Sequence, residues 1–199
     1  MLVFWTKKLV FLSVPKTGTT SIEEVLSPHA DMVISHPPEL KHAPLYRYNR
    51  FFRPMFERAC KTDDMETMAV MREPVSWLAS WYRYRRRDDL HGLPNSTADV
   101  TFEDFVQEYM KGEQKASFAN VGSQARFLEP RKNGLKVDHL FRYEDQPKLL
   151  NFLETRLDLK IDLPRRNSSP DMPLSLSPDT RTKLLRKCAD EFELYESLT

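Results

Sequence analysis

The sequence predicts an α/β fold, a mostly parallel central sheet flanked by helices in a single domain over residues 1–199. Three observations carry it. Short apolar runs rich in β-branched and aromatic residues, at 9–14, 67–71 and 137–143, read as buried strands. Stretches of helical periodicity separate them, and strands that alternate with helices favour a parallel sheet with crossover helices. The length of 199 residues suits one domain able to bury its own core, and no repeat or linker divides it.

Each element follows from its local pattern. Leu9–Val14 is the first strand, closed by Pro15. Ser21–Leu26 then reads as a helix with Ile22, Val25 and Leu26 on one face. Residues 27–45 read as loop, since prolines and histidines crowd them, and Tyr46–Cys60 as a polar and aromatic helix. Thr67–Met71 is the second strand. Pro74 fits the first turn of a helix that runs over Val75–Arg87. Thr101 caps a helix over Phe102–Met110, where Phe102, Phe105, Val106 and Tyr109 recur at helical spacing. Val121–Leu128 forms a short helix, Val137–Tyr143 the third strand, and Pro147–Leu157 an amphipathic helix. Residues 162–178 are a proline- and serine-rich loop, and Ser177-Pro178 opens a last helix to about Leu198.

Composition narrows the function. Lys and Arg number 30 against 29 Asp and Glu, a net charge of +1, which argues against a generic nucleic-acid binder. Cys60 and Cys188 make neither a disulfide framework nor a metal cluster, and read as reduced thiols. The apolar stretches Met1–Trp5 and Leu9–Val14 are interrupted by Lys7-Lys8 and are too short to span a bilayer or to serve as a signal peptide. The expectation is a cytoplasmic protein with no membrane span and no nucleic-acid partner.

Only five glycines occur, and one of them, Gly18, lies where a strand gives way to a helix in Pro15-Lys16-Thr17-Gly18-Thr19-Thr20-Ser21. The first turn of a helix leaves backbone N–H groups without partners, and its dipole favours negative charge. Gly18 lets the backbone approach a ligand, Lys16 adds a charge, and Thr19, Thr20 and Ser21 add hydroxyls. The loop suits a phosphate or a sulfate. It is not a Walker A loop, because its lysine precedes its only glycine. A second anion motif comes after the second strand. Arg72 stands at the strand end, where open α/β sheets bind ligands, and Ser80 lies two helical turns on. An arginine fork and a hydroxyl can share one phosphate.

Together the two motifs resemble the sulfotransferase family that uses 3′-phosphoadenosine-5′-phosphosulfate (PAPS). Val14–Ser21 resembles that family's 5′-phosphosulfate loop, and Arg72-Glu73-Pro74 through Ser80-Trp81-Tyr82 its 3′-phosphate motif. Where many relatives carry a second arginine, Trp77 or its neighbours stand. Asn120–Leu128, Phe141–Asp145, Asn167–Ser169 and Asp190–Tyr195 resemble more weakly the carbohydrate and membrane-type branch, and the chain's size is similar to that of small soluble bacterial members. The resemblance implies a P-loop-like sulfotransferase fold. It also implies transfer of a sulfuryl group from PAPS to an acceptor hydroxyl or amine, with PAP released and no metal required. Lys16 is then the residue that stabilises the leaving phosphate. Pro15, Lys16, Thr17, Gly18, Thr19, Thr20 and Ser21 hold the 5′-phosphate, Arg72 and Ser80 the 3′-phosphate, and Arg166 closes over the nucleotide.

An acceptor hydroxyl needs a general base. The resemblance places it between the first helix and the second motif, where His42 in Lys41-His42-Ala43-Pro44-Leu45 is first choice, His36 second and Glu39 third. His29, His36 and His42 lack the short paired spacing of metal ligands. The basic run Tyr82–Arg87 is either a solvated helix end or a dock for an anionic acceptor, a small molecule or a carbohydrate. Two other classes stay open on the residues alone. One is a small-molecule or nucleoside kinase of related fold. The other is a non-catalytic module that binds PAP or a sulfated ligand.

Overall fold

Leu2–Phe4 (β1) and Leu9–Leu12 (β2) pair antiparallel around the turn Trp5–Lys8, in which Lys8 adopts a left-handed conformation. Met32–Val33 (β3) pairs antiparallel with the outer edge of β1. On the other side, Glu66–Met71 (β4) runs parallel to β2, and His139–Arg142 (β5) parallel to β4. The sheet order is β3-β1-β2-β4-β5. The three strands legible in the sequence are the three parallel ones; β1 and β3 make the sheet mixed. This is a computed structural model, and it describes residues 1–61, 64–130, 135–163 and 174–198.

In chain order the helices are Thr19–Leu26 (α1), Pro38–Lys41 (α2), Leu45–Arg47 (α3), Arg53–Cys60 (α4), Pro74–Arg85 (α5), Phe102–Tyr109 (α6), Gln124–Leu128 (α7), Gln146–Leu157 (α8), Pro178–Lys187 (α9) and Ala189–Glu196 (α10). A π-turn over Tyr48–Phe52 joins α3 to α4. Among the described residues no helix is long and apolar enough to cross a membrane.

The chain sorts into two compact units; among the described residues it passes between them at Arg72–Glu73, at Ser123–Gln124 and again at Ser197–Leu198. No change in composition marks the first two of these crossings. The first unit holds the sheet with α1–α4, α7 and α8. On one face, Leu9 and Phe11 of β2 and Met68 and Val70 of β4 pack with Ile22 and Leu26 of α1 and with Leu149, Leu153 and Leu157 of α8. The alternate residues Val10, Leu12 and Ala69 are buried as well. Burial on both faces explains the unbroken apolar runs of these parallel strands.

The second unit is helical. Trp77, Leu78 and Tyr82 of α5 pack with Phe105 and Val106 of α6 and Leu184 of α9. Thr101 and Asp104 form a reciprocal capping box at the start of α6, and the Ser177 hydroxyl caps α9. The single C-terminal helix expected from the sequence is two, because Cys188 leaves helical geometry at φ −123° and ψ 38°. Asp190 and Glu191 then open α10, acidic residues in a first turn as the dipole favours. Leu153 is fully buried at the centre of the first unit's core. Leu153→Ala is expected to destabilise the protein by about 2–5 kcal/mol, measured by urea denaturation.

Candidate active site

The parallel register sets the site. Leu12 of β2 pairs with Ala69, so β4 continues for two residues while β2 passes into Ser13 and Val14. Met71 pairs with Arg142 of β5, and the Tyr143 N–H donates to the Met71 carbonyl at 2.7 Å. The carboxyl ends of three neighbouring strands therefore deliver the Pro15–Gly18 loop, Arg72 and Tyr143 to one end of the sheet. In open α/β sheets ligands bind at that end.

The loop is shaped by two left-handed residues, Lys16 at φ 67° and Gly18 at φ 76°. Holding a lysine there costs about 1–2 kcal/mol, a strain the surrounding bonds must offset. The buried Thr17 hydroxyl donates to the Val14 carbonyl at 2.9 Å and closes the turn from inside. The Thr17 hydroxyl proton is thus engaged inside the loop. Gly18 is the N-cap of α1, and no side chain caps that helix among the described residues. The Ser21 N–H already turns back to the Gly18 carbonyl at 3.2 Å, and the start of a helix favours negative charge. Thr19 is buried, Ser21 half-buried and Thr20 exposed.

Arg72 is fixed from both sides. Its backbone N–H donates to Gln124 Oε1 and its carbonyl accepts from Gln124 Nε2, both at 2.9 Å. Gln124 is fully buried, so its amide extends the ladder by one side-chain rung beyond the end of β4. The Arg72 guanidinium donates to the Lys16 carbonyl at 3.5 Å and lies 4.6 Å from the centre of the Tyr143 ring. The edge of that ring stands 2.9 Å from where a side chain on Gly18 would begin. Gly18, Tyr143 and Arg72 form a contiguous stack that joins the two sequence motifs. Gln124 and Tyr143 carried no role in the sequence reading. A lone glutamine in an apolar helix pattern and an aromatic just past a strand were the available signals.

The base candidates separate by position. His36 and Glu39 are exposed, and Glu39 gives its backbone carbonyl to Arg47. His42 is half-buried at the end of α2, with Nδ1 2.7 Å from the Ser13 carbonyl. A carbonyl only accepts, so Nδ1 carries the proton and Nε2 holds the lone pair of the neutral ring. Burial pushes the imidazole below its ordinary value, against the Ser13 carbonyl, which raises it. Of the three candidates, His42 is the one bonded to the segment that leads into the anion loop.

The remaining candidates lie elsewhere in the chain. Ser80 is buried on α5 of the second unit, and Arg166 lies outside the described residues. Trp77 is a core residue edge-on to Trp81 and Tyr109 and supplies no second charge. In the basic run, Arg85 donates to the Ser117 and Asn120 carbonyls, and Arg86 to the Tyr82 hydroxyl and the Ala98 carbonyl. Those two arginines tie loops to α5. Among the described residues no group of three or more His, Cys, Asp or Glu stands together as a metal site.

Residues 1–196 match the family model described as the sulfotransferase family. The chain belongs to the sulfotransferase family. No curated protein matches it. Among solved structures it is similar to a mouse sulfotransferase complexed with PAP, with 19% identity and a TM-score of 0.45 over 100% of this chain and 69% of that one. In this sulfotransferase the Gly18–Tyr143 contact gives a direct test. Gly18→Ala adds a methyl group into the Tyr143 ring at a left-handed position. It is expected to cost about 1–3 kcal/mol in stability, and Tyr143→Ala in the same chain is expected to restore part of it, read as a double-mutant cycle in urea.

Proposed function

We propose that the protein transfers a sulfuryl group from PAPS to a hydroxyl or amine of a small-molecule or carbohydrate acceptor and releases PAP. The observation that supports this reading is the hydrogen bond from the Arg72 guanidinium to the Lys16 carbonyl, which sets the arginine of the second motif beside the loop of the first. An uncapped helix start at a left-handed glycine, beside Lys16 and Arg72, suits a nucleotide with phosphates at both ends of its ribose. Family membership supports the transferase class.

PAPS supplies the activated sulfuryl group; the chain supplies position and charge. Lys16 offsets the negative charge that grows on the leaving phosphate oxygen. The backbone N–H groups of Thr17–Thr20 hold the 5′-phosphate, with the Thr20 and Thr19 hydroxyls as further donors, and Pro15 and Ser21 frame the loop. Arg72 takes the 3′-phosphate, with Ser80 assigned to it by the family motif alone. His42 takes the acceptor proton at Nε2, while the Ser13 carbonyl keeps Nδ1–H in place and favours the imidazolium that forms.

Two measurements test the reading. Calorimetry is expected to show PAP binding in preference to ADP and ATP, without magnesium. Lys16→Ala and Arg72→Ala are each expected to weaken it roughly ten- to hundredfold, as lost charged hydrogen bonds do. A preference for magnesium and ATP would overturn the donor assignment. The second concerns pH. A base whose pKa burial has lowered is neutral at pH 7, so turnover is expected to fall only as pH drops below the usual histidine value of about 6.5. His42→Gln is expected to lose that limb and roughly 10²–10⁴-fold in kcat.

A further inference from the structure

Glu23 lies on α1, just beyond the anion loop, and its side chain is 13% exposed. Its carboxylate gathers donors from three other segments. Oε1 accepts from the Ser13 hydroxyl at 2.7 Å, Oε2 pairs with Lys41 Nζ at 2.8 Å, and the Met1 ammonium stands 3.5 Å from Oε1. An ionised carboxylate offers about four lone-pair sites and can hold several donors at once. Burial raises the Glu23 pKa, but Lys41, Ser13 and the Met1 ammonium outweigh it, and the group is held below its ordinary value. Glu23 is therefore charged at neutral pH.

Two of these partners also hold His42. Ser13 provides the carbonyl that accepts Nδ1–H, and Lys41 is the last residue of α2, immediately before His42. We propose that Glu23 is the positioning residue for His42, binding Ser13 of the anion loop and Lys41 of α2 to one carboxylate and so fixing Nε2 relative to that loop. Its catalytic consequence rests on the sulfuryl-transfer reading; the coupling of Glu23 to His42 does not. A displacement of about 1 Å in a catalytic group can cost roughly a hundredfold in rate, so a residue that touches no substrate can govern turnover through such a hub.

The charges facing His42 give the proposal a readout independent of activity. Lys41 at the end of α2 and the Met1 ammonium just before β1 oppose the imidazolium, and Glu23 on α1 favours it. Removing the carboxylate leaves the lysine uncompensated beside the ring; removing the lysine does the reverse.

The experiment is an NMR titration of the His42 ring in the full chain, assigned with His42→Gln. It is run for the wild type, Glu23→Gln, Lys41→Met and the double variant. Alongside it, PAP affinity is measured by calorimetry, and PAP release from PAPS with a mixed panel of monosaccharides and phenols as acceptors. Glu23→Gln is expected to move the His42 midpoint to lower pH, Lys41→Met to higher pH, and the double variant back toward wild type. Glu23→Gln is expected to lower kcat about tenfold or more while PAP affinity stays within about twofold, with Glu23→Asp recovering part of the loss. Superimposable His42 titrations in wild type and Glu23→Gln overturn the proposal. So does a kcat loss matched by an equal loss of PAP binding. If Glu23→Gln does not fold, Lys41→Met decides, since an unchanged midpoint there overturns the coupling. Full PAPS turnover in His42→Gln would instead sink the base assignment and leave the coupling to the titration.

Discussion

The parallel pairing of β2 with β4 is the constraint on which the candidate site depends. With Leu12 opposite Ala69 and Met71 opposite Arg142, three strands end within a few residues of one level. The segments that leave these strands must then gather at the same end of the sheet. They bring a loop with a left-handed lysine and a left-handed glycine, an arginine, and a tyrosine. Slipping a strand by one residue would exchange its faces, placing Val10 and Leu12 where Leu9 and Phe11 now pack against α1 and α8. The apolar core therefore fixes the register, and the register fixes the site.

Around this frame, polar groups inside the first unit are used to hold backbone. Gln124 prolongs the ladder past β4, Thr17 closes the anion loop onto Val14, and Ser13 meets both His42 and Glu23. Each is buried and each is bonded, as the cost of an unpaired polar group in an apolar interior requires. The Tyr143 ring adds an apolar element, placed between a glycine that leaves it room and a guanidinium that rests on its face. The second unit uses arginine similarly: Arg85 and Arg86 spend their donors on carbonyls of neighbouring loops. The charge run that contains them is thus in part scaffold, a role that residue type alone does not reveal.

Much of this was legible in the chain. The strands Leu9–Leu12, Glu66–Met71 and His139–Arg142 were visible as apolar runs, and the capped helices α6 and α9 as Thr101 and Ser177 before their first turns. The two stretches proposed to meet phosphates stand out because a strand, a short polar turn and a helix occur together within a few residues. What escaped were elements that exist only through partners. β3 is two residues long in a stretch rich in proline and histidine, and becomes a strand because β1 offers it an edge. β1 is three residues with no room for a period, and the hairpin with β2 gives it its identity.

The site divides along the same line. Local sequence determined which groups could meet an anion, because a glycine-bearing turn before a helix and an arginine after a strand carry their chemistry within a few residues. It also determined the family, through motifs of that same local kind. Only the tertiary structure separates His42 from His36 and Glu39 by position, because it brings the His42 Nδ1 to the carbonyl of Ser13, 29 residues earlier in the chain. Only it could show Gln124 holding Arg72 from 52 residues away, or Glu23 joining Ser13 to Lys41. Side-chain chemistry is written residue by residue, whereas the partner that orients a side chain is set by the sheet that brings distant segments together.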